Sequence, residues 1–541
     1  MVAMVSSGGM DGRPQARLEG DVPELAWVAA LSAEGKYTAA AEAAQRAFAA
    51  ASGDAHFPAL CEWEELAFIL RPGRGDAPHR SVAGVNAALI ASLGGGALSE
   101  AQRAMAMARL ARQRAWQTPA EALPQAEEAY SLARRSGDPH TELYALLALH
   151  MASEDPALFP ERMRISEQMA QVAHESNHPN DALIAHWRRQ MDCLVAGDSP
   201  GYDYHLDAFT RLAYDLGDRH WLALATMARA TNRLLEGEFA DAEGLAGELA
   251  PFISENRVLA VLGGMPVLAL KARFEHGRGG SPETLARIIA GARSTHASWR
   301  IGLAYFLASS GRTTEAAAEL AAVDLDTLPA DSSMLPCLCI AIDLGTAYLN
   351  DATLVGAAYR RLLPSAGLFA AMGDAGACWG PVDLYLGIAA KRLGLPEAEG
   401  HLSRARLQAA ALRARPALAR ATLLLGTAQA HDSETATTHW QEALAIAERI
   451  GYVSVAAEAR ALLRGDAPVR SRPSKTELTA REREILALVA TGLTAAEVAA
   501  RLVLSPRTVE KHLEHAYAKI GARNRAEGIS WAIVNGLTQV S

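Results

Sequence analysis

Four helix-start signals crowd the last seventy residues of this chain, and their spacing leaves room only for short helices joined by tight turns. In a capping box a Ser, Thr or Asn side chain accepts from the backbone three residues on, and a Glu there reaches back. Thr479 with Glu482, Thr494 with Glu497, and Asn524 with Glu527 each fit that rule. Ser505 opens the remaining helix as N-cap, with Pro506 at the first helical position, where a missing N–H costs nothing. Gly492 and Gly521 stand where left-handed C-terminal caps are wanted. Apolar spacing then says which faces are inside. Val509, Leu513, Ala516, Tyr517 and Ile520 of the third helix should face Ile485, Leu486 and Val489 of the first and Val498, Ala499 and Leu502 of the second. The opposite stripe carries Arg507, Glu510, Lys511, Glu514 and Ala518. A helix held this way, polar outside and braced by its predecessor, fits the major groove of DNA.

The run Leu478-Thr479-Ala480-Arg481-Glu482-Arg483-Glu484-Ile485-Leu486, then Gly492-Leu493-Thr494, Glu497-Val498-Ala499, Ser505-Pro506-Arg507-Thr508-Val509-Glu510-Lys511-His512 and Lys519-Ile520-Gly521-Ala522-Arg523-Asn524-Arg525-Ala526-Glu527, resembles the LuxR-type helix-turn-helix domain. The likeness covers about 60 of 541 residues in register without a gap, and departs at Ala495, where the family commonly has Asn. It implies a transcription factor binding double-stranded promoter DNA as a homodimer, with RNA polymerase as a further partner. By the same resemblance Glu510, Lys511 and Glu514 face base edges, while Arg507, Thr508, His512 and Lys519 lie near phosphates. The chemistry agrees in part. Lys can donate to guanine O6 and N7 and Glu can accept from the cytosine amino group, although Glu510 and Glu514 also fit an ordinary solvated face and His512 a plain surface histidine. The fourth helix offers Ile529, Trp531, Ile533 and Val534, more apolar surface than one face needs, for a dimer seam or for contact with the rest of the chain.

Charge is unevenly shared. From Arg470 onward eleven Lys/Arg outweigh seven Glu, a net of +4, which leaves −13 for the preceding residues out of a total of −9. Only the tail has a footprint for phosphates, and a modest one, so two copies on one site are needed for useful affinity. The five cysteines, Cys61, Cys193, Cys337, Cys339 and Cys378, have no paired metal-ligand spacing and no secretory segment ahead of them. Cys337 and Cys339 read as buried small apolar residues. No apolar run approaches the ~18 residues of a membrane span. These features predict a soluble cytoplasmic protein with no membrane contact, no bound metal and no cofactor.

Upstream, Ala- and Leu-rich sequence is punctuated by short turns at Gly35-Lys36-Tyr37, Gly197-Asp198, Gly237-Glu238-Phe239, Gly277-Arg278, Gly311-Arg312, Asn350-Asp351, Gly394-Leu395-Pro396 and His431-Asp432. From Gly197 onward they recur every 34 to 44 residues, the mark of stacked helical hairpins. A second set of breaks, at Gly53-Asp54, Gly137-Asp138, Gly217-Asp218, Gly373-Asp374 and Gly451-Tyr452, falls between the first. Gly35-Lys36-Tyr37-Thr38-Ala39-Ala40 and Gly237-Glu238-Phe239-Ala240-Asp241-Ala242 resemble the turn of tetratricopeptide (TPR) repeats. The expected architecture is all-α: a disordered segment 1–20, a TPR-like α-solenoid over 21–464, a linker over 465–476 with Pro468 and Pro473, and a four-helix LuxR-type domain over 477–541.

An array of this kind ahead of such a tail looks like the C-terminal part of the large ATP-binding LuxR regulators. The phosphate-binding Gly-x-x-x-x-Gly-Lys-Ser/Thr is not in this sequence, and the one Gly-Lys pair, Gly35-Lys36, runs into Tyr37. Nor do short apolar strands alternate with helices as in a phosphorylatable receiver. Input must therefore come through the repeats, from a small-molecule or protein effector, or through abundance. His186-Trp187, His220-Trp221, Trp299 and Cys378-Trp379 recur near helix openings and either line a groove or fill a recurring hole between repeats. No metal spacing surrounds Glu275 and His276 and no Gly-x-Ser-x-Gly elbow occurs, so an enzyme is not expected. Two readings remain: a sequence-specific regulator, and an interaction scaffold or anti-regulator whose tail is dispensable.

Overall fold

The computed structural model describes residues 23–70, 80–256, 297–372, 377–465 and 480–520 apart from 503, together with positions 525, 528, 529 and 532. Segment 1–20, the turns at Gly277 and Gly373-Asp374, residues Glu275 and His276, and all of the linker but Gly465 lie outside them. Antiparallel helical hairpins follow one another, beginning with Pro23–Ala33 against Tyr37–Ala50 and running to Ser433–Ile450 against Val453–Leu463. The Gly-Asp dipeptides explain why the rhythm is so regular. At Gly137-Asp138 and Gly217-Asp218 the glycine, with φ 69°, ends one helix in the left-handed conformation. The following aspartate caps the next helix, Asp138 accepting from the Thr141 N–H and Asp218 from those of His220 and Trp221. Two residues thus satisfy donors and acceptors that a helix end would otherwise leave bare.

The array folds back on itself. A Cβ on Gly197 (φ 73°) would lie 3.0 Å from the Phe369 ring, and one on Gly237 (φ 81°) 3.0 Å from Ile450, so these turns both end a helix and admit side chains from far along the chain. Phe239 meets Tyr452 edge-on, Arg413 pairs with Asp203 at 2.6 Å, and Arg415 with Glu238 at 3.1 Å. Nearer the start, Tyr37 lies against His220, and Arg219 donates to the Glu34 carbonyl at 2.6 Å.

A short antiparallel hairpin, Phe369–Ala371 (β1) with Cys378–Pro381 (β2), departs from the all-helical expectation. Both strands are buried on both faces, so no polar–apolar alternation marked them, and each is too short to tell from a buried helical turn. Trp379 therefore sits in a strand leading into the helix Val382–Leu393. Trp187 and Trp221 meet edge to face at 5.9 Å and Phe209 closes on Trp221, so these rings pack between helices, whereas Cys378 and Trp379 line a small cavity with Leu384 and Tyr385. The Trp299 side chain lies outside the described residues. Cys337 and Cys339 are both buried in the helix Met334–Asp343.

Charge is buried where the first hairpins join the main core. Glu64, on the helix His56–Ile69, is fully enclosed and receives Arg109 at 2.6 Å, Arg112 at 2.7 Å and the Gln113 amide at 2.8 Å. Beside it Glu65 accepts from Arg112 at 3.0 Å and from the Tyr144 hydroxyl at 3.0 Å. Burial opposes ionisation of Glu65, yet the two guanidiniums prevail and hold its carboxyl at about 2. Asp192 is likewise held at about 2, against its burial, by Arg162 and His150. Both carboxyls ionise more readily folded than unfolded, so the stability they contribute is present above the ordinary carboxylate range and is lost as pH falls from about 4.5 towards 2. Thermal unfolding followed by circular dichroism should show a midpoint falling steadily across that window; a flat midpoint would contradict this assignment.

Candidate nucleic-acid interface

The tail condenses on a small core. Ile485, Leu486 and Val489 of the helix Ala480–Ala490, Val498 and Ala499 of Ala495–Leu502, and Val509, Leu513 and Ala516 of Pro506–Ile520 are buried together, with Leu502 and Tyr517 half-buried at the edge. The third helix packs on both others, and apolar period alone had paired these faces.

The caps that can be seen form as the sequence requires. The Glu497 carboxylate accepts from the Thr494 N–H at 2.7 Å, while Thr494 Oγ1 accepts from the Glu497 N–H at 3.3 Å, a reciprocal capping box. Ser505 Oγ accepts from the Thr508 N–H at 3.1 Å, and Gly492 has φ 98°. Glu482 is buried in the first helix. Thr479, Asn524, Glu527 and Gly521 lie outside the described residues. Thr494→Ala should cost about 1 kcal/mol of stability in this domain, read as a shift in denaturant midpoint; no shift would mean that the turn is held without its cap.

Arg507, Glu510, Lys511 and Glu514 are all exposed on one stripe of Pro506–Ile520, opposite the buried Val509, Leu513 and Ala516. Thr508 and His512 are half-buried flanking positions. Thr508 is already engaged, its hydroxyl lying 2.7 Å from that of Ser505, so its first duty is the start of the helix. The Lys519 side chain lies outside the described residues. His515, one turn beyond Lys511, is exposed on the same side and belongs with the set; its i+4 spacing from Lys511 was the available signal.

Two arginines of the basic tail hold the domain together. Arg481 donates to the Leu502 carbonyl at 3.0 Å and pairs with Glu484 at 2.7 Å, and Arg525 donates to the Leu493 carbonyl at 2.7 Å. Gly528 is buried where a Cβ would come within 2.3 Å of the Tyr517 ring, which explains a glycine inside this segment. Ile529 is half-buried against the core, so part of the apolar surface expected of a dimer seam is spent within the domain. Trp531, Ile533 and Val534 lie outside the described residues. Among the described residues no cluster of His, Cys, Asp or Glu is arranged to hold a metal ion, and no helix is long and apolar enough to cross a membrane.

Residues 476–532 match the family described as bacterial regulatory proteins, luxR family. Over 69 residues the chain is 42% identical to Rv0890c of Mycobacterium tuberculosis, named as an HTH-type transcriptional regulator, covering 12% of this chain and 8% of that protein. It is 40% identical over 67 residues to the response regulator Rre1 of Synechocystis, 12% of this chain and 29% of Rre1. With the transcriptional regulatory protein SgaR of Hyphomicrobium methylovorum it shares 49% identity over 53 residues, 10% of this chain and 25% of SgaR. The chain thus spans less than a third of the length of these relatives.

Proposed function

We propose that this chain is a sequence-specific DNA-binding transcriptional regulator that presents the helix Pro506–Ile520 to the major groove as a homodimer. The observation that carries this reading is the exposed stripe Arg507, Glu510, Lys511 and Glu514 on a helix whose other face is locked into the core of a luxR-family domain. Lys511 donates to a guanine edge, Glu510 and Glu514 select against bases that offer them no donor, and Arg507 and Lys519 neutralise phosphates. The modest positive charge of the tail calls for two copies on one operator, joined through Trp531, Ile533 and Val534. The helical array senses an effector and sets the occupancy or output of the tail at the promoter, where RNA polymerase is a second partner.

Sequencing of genomic fragments retained by the purified full chain tests this reading. It should enrich an inverted repeat whose half-sites lie about one helical turn, ~34–36 Å, apart. Retention without any shared sequence would overturn it and favour the array as a protein-interaction scaffold.

A further inference from the structure

Two carboxylates stand on the surface of the tail that a polyanion would meet. Glu510 and Glu514 are exposed one helical turn apart, on the stripe opposite the buried Val509, Leu513 and Ala516. Like charges at that spacing weaken a helix, and both oppose the phosphates of DNA. Other acidic side chains of the tail are used locally: Glu484 pairs with Arg481, Glu497 closes the capping box at Thr494, and Glu482 is buried. Among the described residues none forms an ion pair or side-chain hydrogen bond with Glu510, Lys511 or Glu514. These three are therefore held in reserve for a partner that offers a donor to each carboxylate and an acceptor to the ammonium.

In the major groove the only base donors are the amino groups at cytosine N4 and adenine N6. Adenine sets its acceptor N7 beside that amino group, so a carboxylate reaching N6 meets a lone pair, whereas cytosine N4 has no acceptor beside it on its own base. Lys511 and Glu514, three residues apart, are neighbours on the stripe. A C·G pair answers both, cytosine N4 donating to Glu514 while guanine O6 and N7 accept from Lys511. Glu510 stands one turn earlier, ~6 Å along the axis at ~1.5 Å per residue, which is about two base-pair steps of ~3.4 Å. We propose that Lys511 and Glu514 read the two halves of one C·G pair, that Glu510 takes a second cytosine about two base pairs away, and that methylation of either cytosine at N4 closes the site. The inference rests on the regulator reading and names the chemistry of its operator. A paired cytosine gives one amino hydrogen to guanine and leaves the other in the groove. A methyl group on N4 takes the groove position, since the pairing position must keep its hydrogen, so the donor is lost while the base pair and its charge remain. A methyl group on C5 leaves the donor in place. An N4-cytosine methyltransferase is thus the class of enzyme whose product this helix rejects.

Selection of random duplexes by the full chain should return half-sites with two cytosines about two base pairs apart. On the selected duplex, fluorescence anisotropy should show binding about 5- to 150-fold weaker when either cytosine carries an N4 methyl group, the range of one good base contact, and a smaller loss for a C5 methyl group. Glu514→Ala should bind the duplex N4-methylated at its own cytosine as well as the unmodified one, and Glu510→Ala should do the same at the other cytosine. Each variant should also hold unrelated DNA more tightly than the parent, because a charge that repels phosphate is gone. Both side chains are exposed, so circular dichroism should be unchanged; the methylated duplexes decide the matter with the parent chain alone if a variant fails to fold. A selected site without such cytosines, parent binding indifferent to N4 methylation, or equal losses from the two methyl groups would overturn the inference and leave the regulator reading standing. Selection of no sequence at all would overturn both.

Discussion

Lys511→Ala should lower the affinity of the full chain for its operator by about 5- to 150-fold per half-site, the roughly 1–3 kcal/mol that a good base-edge contact contributes. Lys511 is exposed and opposite the core, so its removal leaves the fold unchanged, and far-UV circular dichroism should not move. Arg507→Ala should behave differently. It should weaken binding to operator and unrelated DNA alike and reduce the slope of log affinity against log salt by about one per copy, the signature of a phosphate contact. Fluorescence anisotropy over a salt series reads both. A Lys511→Ala protein within twofold of the parent on its operator would remove Lys511 from base reading.

The largest expected effect on stability belongs to Glu64. Its carboxylate is enclosed and receives two guanidiniums and an amide, so Glu64→Gln leaves the buried Arg109 and Arg112 sharing the one carboxylate of Glu65, which is itself partly exposed. Breaking a buried pair from one side costs about 3–5 kcal/mol, chiefly through the charge left behind. The consequence should spread, because this network joins the first two hairpins to the helices Glu100–Gln117 and Pro139–Ala152, and early unfolding of residues 23–69 is expected. Denaturant titration with hydrogen exchange measures it; a cost below about 1 kcal/mol would show that water reaches the guanidiniums.

The tail was largely legible because local rules acted together there. Capping at Thr494 and Ser505, period at Val509 and Leu513 and the glycine at 492 all depend on neighbours a few residues away, and all took the predicted form. The rhythm of the array was legible for the same reason, since Gly217-Asp218 states both a helix end and a helix start in two letters. What could not be read depends on contacts across long separations. Nothing near Gly197 announces Phe369, and nothing near Glu64 announces Arg112. The hairpin 369–381 was missed because strands buried on both faces carry no alternation. In the tail, Arg481 and Arg525 read as part of a basic footprint, yet each holds a backbone carbonyl, which composition cannot distinguish from contact with phosphate.

Whether the helix Pro506–Ile520 reads sequence is decided by the ratio of affinities for operator and scrambled duplex, measured with the full chain at one physiological salt concentration. A specific reader should prefer its operator by about 10³-fold or more, with the preference falling sharply in Lys511→Ala. A ratio near one, unchanged by the substitution, would mean that this helix reads no sequence.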